Sequence, residues 1–355
     1  QMFNQKTFAI MSPMMYLVMY FLTLSIYFVG AYLINDASFA SKIGLFGDMI
    51  VFSSYAMQVI MSFLMLAMIF MMLPRAQVSA KRINEVLDKK VKIKEGNITS
   101  SKEVGTISFK NVSFKYPEAE EYVLKDISFD IKKGETVAFV GSTGSGKSTL
   151  INLIPRFYDV TDGEVLVDNI NVKKYKEEVL NDKIGYIPQK AVIFSGTINS
   201  NIGFGKINGN KPSSKNIKEA ANVAQASEFI EKLDNKYNSL VARSGTNLSG
   251  GQKQRLSIAR AIARNPEIYI FDDSFSALDY KTDYTLRSEL KKYTKFATVL
   301  IVAQRIGTIM NADKILVLDQ GTCVGIGTHK ELMKKCKVYK EIALSQVSKE
   351  ELENV

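Results

Sequence analysis

Residues 136–149 read TVAFVGSTGSGKST, an apolar stretch that runs directly into a loop rich in glycine and serine. The loop fits the pattern G-x-x-x-x-G-K-[ST], whose backbone N–H groups surround the phosphates of a nucleotide. Here the pattern follows a predicted strand and precedes a predicted helix, a context that separates a phosphate-binding loop from a chance glycine-rich turn. The stretch therefore predicts an α/β domain that binds a nucleotide.

The loop offers several kinds of phosphate contact. Its glycines let the backbone approach the phosphates closely, and Lys147 is long enough to reach the β- and γ-phosphates. The Ser148 hydroxyl can bind Mg²⁺, and the helix that begins near Lys147 adds its positive dipole end. The predicted ATP contacts in this loop are Gly141, Ser142, Thr143, Gly144, Ser145, Gly146, Lys147, Ser148 and Thr149.

Short apolar runs alternate with helix-like stretches from Thr106 onward, a pattern typical of an α/β domain with a mainly parallel sheet. The stretch ISFKNVSFKY at 107–116 alternates like a strand with one buried face. In parallel sheets, chemical groups gather at the carboxyl ends of the strands. The run IYIFDD ends at such a position, and Asp272 there is predicted to bind Mg²⁺ beside the loop. The other apolar runs are TVAFVG, KIGYIPQ, TVLIVAQ and KILVLD, at 136–141, 183–189, 298–304 and 314–319.

The first 80 residues have a different character, and most of the 14 methionines lie there. No charged residue occurs at 7–35 or at 49–73. Each run is long enough to cross a hydrocarbon core of about 30 Å, so we predict membrane helices at about 13–34 and 49–73, the second of which runs on into the cytosol. The alternative is a pair of buried core helices in a soluble protein. Basic residues precede the first run and follow the second, which by the positive-inside rule places both ends of the pair in the cytoplasm and the 35–48 loop outside the cell.

Composition divides the rest of the chain. Residues 81–104 are charged and then rich in Gly, Ser and Asn, which suits a linker; 105–345 form the predicted α/β domain, and 346–355 form a polar tail. The linker contains a cluster of lysines that suits contact with anionic lipid or simple solvation. The cluster consists of Lys89, Lys90, Lys92 and Lys94. Because the chain begins with Gln instead of Met, we expect it to be truncated at the N-terminus.

The net charge of +10 does not predict a nucleic-acid partner, because the basic residues are dispersed and no aromatic-studded basic groove is evident. The two cysteines, Cys323 and Cys336, have neither metal nor redox spacing and suit a reducing cytosol. The only histidine, His329, lies near a predicted helix start, and we interpret it as structural.

A second predicted anion site lies about a hundred residues after the first. The sequence LSGGQ at 248–252 leads into an amphipathic helix, and its small residues suit phosphate binding at the helix start. The residues concerned are Ser249, Gly250, Gly251 and Gln252. One nucleotide does not need two such helix starts, so the pattern raises the question of whose phosphate this site binds.

The combination of motifs resembles the ATP-binding cassette (ABC) family. In chain order, FKYP, GSTGSGKST, YIPQ, LSGGQ, FDDSFSALD and VLIVAQR match the sequence of motifs in that family. The apolar pair ahead of the cassette and the phrase IFSGTINSNI at 193–202 resemble an exporter whose membrane domain is fused to its nucleotide domain. Residues 1–80 resemble only the last two of the six helices in such a membrane domain. The resemblance implies a multidomain protein, an α-helical transmembrane segment followed by an α/β P-loop domain with a helical subdomain.

The resemblance also implies roles for individual residues, with ATP and Mg²⁺ as the cofactors. Tyr116 matches the aromatic residue that stacks on adenine, and Gln189 matches the residue that contacts Mg²⁺ or the attacking water. The LSGGQ residues match a signature that closes over ATP bound by the opposite cassette. Asp279 matches the acidic residue of a loop that communicates between the two sites. Two cassettes packed head to tail would answer the question of the second anion site.

Two positions depart from the family's catalytic pattern, which has Glu after the Mg²⁺-binding Asp and His after the following strand. This chain has Asp273 and Gln304 at those places. The shorter side chain withdraws the carboxylate by about 1.5 Å, and a misplacement on that scale can lower rates about 10²-fold. We therefore predict a pocket that binds ATP well and hydrolyses it slowly; the alternative is a conservative Asp that still works. The segment VARSGTN at 241–247 also departs from the family phrase at this place.

The function we predict is that of one subunit of an ABC exporter in the cytoplasmic membrane, with its nucleotide domain in the cytoplasm. A second half-transporter is the predicted partner, with a heterodimer preferred over a homodimer. The Met-rich, nearly uncharged segment suits an amphipathic, drug-like or lipid-like substrate, or alternatively side chains that only face lipid and neighbouring helices. Two other functions are compatible with the motifs: a regulatory ABC subunit that gates a channel or receptor, and a soluble ABC ATPase.

Overall fold

The structure is a computed structural model that describes residues 2–91, 93–206 and 209–346. It divides into two compact units, Gln1–Val91 and Lys92–Val355. Lys92 of the lysine cluster and residues 347–355 of the predicted tail lie outside the described residues.

The first unit consists of two helices, α1 (Met2–Asp36) and α2 (Phe39–Leu87). Both are long and apolar enough to cross a membrane: an 18-residue stretch within Pro13–Asp36 has a mean hydropathy of 2.0, and one within Phe39–Leu87 has a mean hydropathy of 2.3. Only 6% and 0% of the residues in these two stretches are buried, so the alternative of two core helices of a soluble protein is not supported. The helices pack closely at Gly30, where a Cβ atom would lie 2.4 Å from the sulfur of Met49.

Helix α2 continues well beyond its uncharged part. It ends at Leu87, so the first seven residues of the segment that we predict to be a linker are helical. After Pro74 this part contains neither Gly nor Pro, and its charged residues are good helix formers. The change in composition near residue 74 therefore marks the end of the apolar span, not the end of the helix.

The second unit is an α/β domain with twelve strands among its described residues. The strands are β1 (Ile107–Phe114), β2 (Leu124–Ile131), β3 (Thr136–Gly141), β4 (Asp162–Val167), β5 (Ile170–Asn171), β6 (Ile184–Ile187), β7 (Gly196–Thr197), β8 (Leu240–Val241), β9 (Ile268–Asp272), β10 (Thr298–Val302), β11 (Lys314–Asp319) and β12 (Thr322–Gly327). The helices are α3 (Lys147–Asn152), α4 (Glu177–Lys183), α5 (Ile198–Ile202), α6 (Ser214–Val223), α7 (Ser227–Ile230), α8 (Gly250–Ala263), α9 (Tyr280–Tyr293), α10 (Ile306–Ile309), α11 (His329–Lys335) and α12 (Lys337–Gln346).

The main sheet has six strands in the order β12-β11-β3-β10-β9-β6. All neighbouring strands are parallel except β11 and β12. The five apolar runs of the sequence are the five parallel strands, so the predicted α/β domain with a mainly parallel sheet is confirmed. An antiparallel sheet, β2-β1-β4-β5, and a two-stranded pair, β7-β8, complete the domain.

Alternate residues of β3 enter two different cores. Val137 and Phe139 pack in the core shared with the antiparallel sheet and α3, while Ala138 and Val140 face α10 to α12. This alternation follows from the period-2 geometry of a strand that is buried on both faces. A third core lies between β9 and the helices from α5 through α8. These helices make up the predicted helical subdomain. Burial on both faces fixes the carboxyl end of β3, where the glycine-rich loop begins.

Candidate nucleotide-binding site

The glycine-rich loop connects β3 to α3 across residues 142–146, and the glycines at its two ends, Gly141 in β3 and Gly146, are required there for steric and conformational reasons. A Cβ atom at Gly141 would lie 2.1 Å from the carbonyl oxygen of Leu318, on the neighbouring strand. Gly146, the N-cap of α3, has a φ of 95°, in the left-handed region that favours glycine. Strand packing and the helix start thus force the backbone into a tight turn around an open centre.

The Lys147 ammonium lies against this turn. It donates hydrogen bonds to the carbonyl oxygens of Gly141 (2.8 Å) and Ser142 (2.7 Å), and more weakly to the Ser145 hydroxyl (3.3 Å). Burial lowers the pKa of Lys147, and the nearby carboxylates of Asp273 and Asp272 partly oppose that shift. A phosphate in the loop would replace the carbonyl contacts with stronger, charge-assisted hydrogen bonds.

Asp272 ends β9, one strand away from β3, and its carboxylate faces the loop. The Ser148 hydroxyl donates to its Oδ1 at 2.8 Å, and the Tyr186 hydroxyl donates to its Oδ2 at 3.1 Å. Hydroxyl and carboxylate oxygens are the hard donors that Mg²⁺ prefers. Among the described residues, no cluster of three or more His, Cys, Asp or Glu could hold a metal ion.

Asp273, the next residue, is 9% exposed and accepts hydrogen bonds from two glutamine side chains. The side-chain amides of Gln189 (3.0 Å) and Gln304 (2.8 Å) both donate to its Oδ2. Burial raises the pKa of Asp273 and Asp272 adds to this effect, whereas Gln189, Lys147 and Gln304 oppose it. The backbone of Asp273 has a φ of 46°, a strained conformation of the kind that gathers at functional sites.

These groups line one cleft of about 280 Å³. The structure therefore brings together most of the residues that the sequence predicts for this site. The lining residues are Val123, Thr143, Gly144, Gly146, Lys147, Ser148, Thr149, Gln189, Asp272, Asp273, Val302 and Gln304.

Tyr116 lies beside the cleft and is half-buried. Its hydroxyl shares a hydrogen bond of 3.0 Å with the Thr149 hydroxyl, and its ring meets Phe114 and Tyr158 edge-on. The hydrogen bond ties the aromatic cluster to helix α3, so Tyr116 is held at a fixed distance from the loop.

The LSGGQ residues do not line this cleft. Ser249 caps α8: its hydroxyl accepts from the Gln252 N–H at 3.3 Å, and the Gln252 side chain accepts from the Ser249 N–H at 2.9 Å. Ser249 and Gly250 are exposed, and a Cβ atom at Gly250 would meet nothing within 4 Å. This helix start is open to a molecule from outside the domain.

Asp279 is also exposed, and it caps α9 by accepting a hydrogen bond from the Thr282 N–H at 3.0 Å. This bond holds the pKa of Asp279 below its usual range. The structure thus gives Asp279 a local role in starting α9, whatever it contacts in an assembly.

Tyr186 is a site residue that sequence reasoning missed. Besides Asp272, its hydroxyl contacts Asn152 Oδ1 at 2.9 Å, on α3. Burial raises the pKa of Tyr186, with Asp272 adding to the shift, so the phenol stays protonated and remains a donor. The signal was present in the run KIGYIPQ: a tyrosine in a buried strand needs a partner for its hydroxyl.

A glycine-rich loop at the end of a central parallel strand, with a carboxylate from a nearby strand on its Ser hydroxyl, is the arrangement of P-loop nucleoside triphosphatases. Fold and site together define that class. The comparisons with known proteins then narrow it.

The ABC transporter family model matches residues 124–276. The chain is 41% identical over 338 residues to the uncharacterized ABC transporter ATP-binding protein YfiB of Bacillus subtilis, which covers 95% of this chain and 57% of that protein. It is 44% identical over 260 residues to a putative multidrug export ATP-binding/permease protein of Staphylococcus aureus, covering 73% of this chain and 44% of that one. A bacterial Atm1-family ABC exporter with ATP bound matches with a TM-score of 0.69 at 31% identity, over 83% of this chain and 52% of that structure.

The α/β unit therefore belongs to the ABC transporter ATP-binding domains, which are ATPases, and in this chain it follows a fused membrane part. The chain spans about half the length of the relatives that it matches.

Proposed function

We propose that the chain is the ATP-binding subunit of an ABC exporter, which couples ATP binding and hydrolysis to outward movement of a solute. One observation carries this proposal: the similarity to relatives runs through both the apolar helices and the ATPase unit, over 95% of the chain in one case. A soluble ABC ATPase would have no use for two exposed apolar helices of this length.

The residues of the cleft would divide the work as follows. Tyr116 stacks on adenine, the loop from Gly141 to Thr149 holds the phosphates, and Lys147 neutralises their charge. Ser148 and Asp272 would hold Mg²⁺, which would neutralise the negative charge of the phosphates. Their oxygen atoms already lie within 2.8 Å of each other, which supports this pairing.

Asp273, Gln189 and Gln304 would handle the attacking water, and we propose that they do so slowly. The Asp273 carboxylate sits on the shorter of the two acidic side chains, so it lies farther from the attacking water than a Glu carboxylate would and is poorly placed to take a proton. Gln304 can donate a hydrogen bond to the γ-phosphate but cannot become cationic. ATP would therefore be held longer in this pocket than it would in one with Glu and His.

We further propose that LSGGQ serves the pocket of a second cassette. The open, exposed start of α8 and its absence from the lining of the chain's own cleft support this role. A heterodimer fits better than a homodimer, because a homodimer would combine a good signature with a slow base in both pockets. The partner would then carry Glu and His at the matching positions.

The solute is proposed to be small and amphipathic. The exposed Met, Phe and Leu side chains of α1 and α2 support this, as does the name of the S. aureus relative, a putative multidrug export protein. The basic residues that flank the two spans support a cytoplasmic location for the ATPase unit. They also support an extracytoplasmic location for the short connection between α1 and α2, at 37–38.

Transport in sealed vesicles tests the proposal. Inside-out vesicles that contain the full chain, with any subunit that co-purifies, should accumulate an amphipathic fluorescent probe when MgATP is added. A Ser249→Arg variant should abolish that accumulation. ATP-dependent opening of a conductance without probe accumulation would instead favour a regulatory subunit, a role that the slow pocket would also suit.

A further inference from the structure

The end of α12 reaches the segment that carries Gln304. The side-chain amide of Gln346, the last residue of α12, donates to the carbonyl oxygen of Gln304 at 2.7 Å. Its Oε1 accepts from the backbone N–H of Ile306 at 2.9 Å. The Gln346 side chain therefore bonds the backbone on both sides of Arg305, although the two residues are about forty positions apart in the chain.

One of these two hydrogen bonds satisfies a backbone N–H at the start of α10 that has no local side-chain cap. Helix α10 is only four residues long, and its N-cap residue, Arg305, makes no side-chain capping hydrogen bond. The first N–H groups of a helix need acceptors from outside the helix. Gln346 supplies one of these acceptors from a different element, in place of a local cap.

Helix α12 is firmly anchored, so it can hold this segment in place. Tyr339 and Ala343 are fully buried in the core that α12 shares with β3 and β11, and the Tyr339 hydroxyl shares a 2.7 Å hydrogen bond with His329 Nδ1. Gln346 follows these two residues at helical spacings of seven and three, on the same face. The position of its backbone is therefore set by the core.

At its other end, Gln304 reaches the site: its side-chain amide donates to Asp273 Oδ2 at 2.8 Å. We propose that Gln346 is a positioning residue for this pocket, which holds the backbone at 304–306 so that the Gln304 amide stays within reach of Asp273 and of the γ-phosphate. The inference rests on the proposed roles of Asp273 and Gln304, and it extends the site to helix α12.

Gln346 touches neither nucleotide-binding residues of the loop nor Tyr116, so it should affect the hydrolysis step and not ATP affinity. Because the side chain is exposed and water competes for its partners, we expect a modest effect: about fivefold slower hydrolysis in Gln346→Ala. Gln346→Glu keeps an acceptor for the Ile306 N–H but puts a carboxylate oxygen against the Gln304 carbonyl. It should slow hydrolysis at least as much as the Ala variant.

The test uses the full chain in lipid nanodiscs with any subunit that co-purifies, and four variants: Gln346→Ala, Gln346→Glu, Gln304→Ala and the double variant Gln304→Ala/Gln346→Ala. Ser345→Ala is the control, since the Ser345 hydroxyl bonds only within its own helix, to the Ile342 carbonyl. A photoreactive ATP analogue labelled on the γ-phosphate assigns nucleotide to this polypeptide. The loss of label with time then gives the hydrolysis rate of this pocket, and the initial label gives the affinity.

Hydrogen exchange of peptides that cover 303–310 provides a second readout. In Gln346→Ala the Ile306 amide should exchange faster, whereas Ser345→Ala should match the parent. The double variant should hydrolyse ATP no more slowly than Gln304→Ala alone, because Gln346 acts only through Gln304.

Three outcomes would overturn the assignment: unchanged hydrolysis in both Gln346 variants, equal slowing in Ser345→Ala, or a double variant slower than Gln304→Ala by the full effect of Gln346→Ala. If both Gln346 variants hydrolyse ATP at the parent rate while Gln304→Ala is slower, Gln346 has no role in the site but the role of Gln304 stands. If Gln304→Ala itself hydrolyses ATP at the parent rate, the proposed role of Gln304 fails, and the positioning role fails with it.

Discussion

The hydroxyl of Tyr186 offers a sharp test of how the Mg²⁺ site is held. Tyr186→Phe removes one oxygen atom and leaves the ring, which packs on Phe157. The parent hydroxyl has a single proton within reach of Asp272 Oδ2 (3.1 Å) and Asn152 Oδ1 (2.9 Å). Without it, the Asp272 carboxylate loses the partner that opposes Ser148 and becomes free to turn.

The magnitude follows from these distances. A hydrogen bond to a charged group is worth about 1.5–3 kcal/mol. The proton is shared between two acceptors and the bond to Asp272 is at the long end, so the low end of that range applies. Loss of a partner behind a metal ligand lowers metal affinity about 10–100-fold, and we expect about tenfold here.

The assay is the Mg²⁺ dependence of nucleotide retention by the full chain. Tyr186→Phe should raise the half-saturating Mg²⁺ concentration about tenfold, while ATP affinity measured in a chelator should match the parent. Tyr284→Phe is the matched control, since Tyr284 is 66% exposed on α9 and does not line the cleft. An unchanged Mg²⁺ dependence, or an equal rise in the control, would refute the reasoning.

Three further experiments test the remaining assignments. Asp273→Glu combined with Gln304→His should speed hydrolysis in this chain's pocket by roughly 10²-fold, measured by loss of the γ-label; a parent pocket that is already as fast would contradict the slow-site proposal. Tyr116→Ala should weaken ATP binding by about 1–3 kcal/mol in equilibrium titrations and Tyr116→Phe should be milder; an Ala variant with parental affinity would remove Tyr116 from the site. In the purified complex, Ser249→Arg should abolish most ATPase activity, whereas Lys147→Ala should mainly weaken ATP retention; the reverse ranking would argue against a signature that works on a partner.

Local features of the site could be predicted because they depend on neighbours in the chain. The glycines at 141 and 146 are required by a turn only a few residues long. The capping of α8 joins Ser249 to Gln252, three residues on. The five apolar runs are strands because each is apolar at nearly every position, so both of its faces can be buried. Hydrophobic pattern and short-range hydrogen bonding were sufficient for these features.

The end of α2 could not be predicted in this way. The second helix is expected to run past the apolar span into the cytosol and to end near residue 80, but the charged residues that follow form helix equally well, and α2 continues to Leu87. Helix propensity and membrane hydropathy are separate properties, so the end of one does not locate the end of the other.

The sequence by itself determined the class of fold, the phosphate loop and the pair of carboxylates at the end of β9. Only the tertiary structure decided that Gln189 and Gln304 share one oxygen of Asp273, and that Tyr186 and Gln346 support the site from behind. Those contacts join residues 31 to 86 positions apart. They depend on the order of strands in the sheet and on where α12 packs. No local pattern encodes that order, because the strands are all apolar runs of similar length and composition, and their arrangement is fixed only when their side chains pack together.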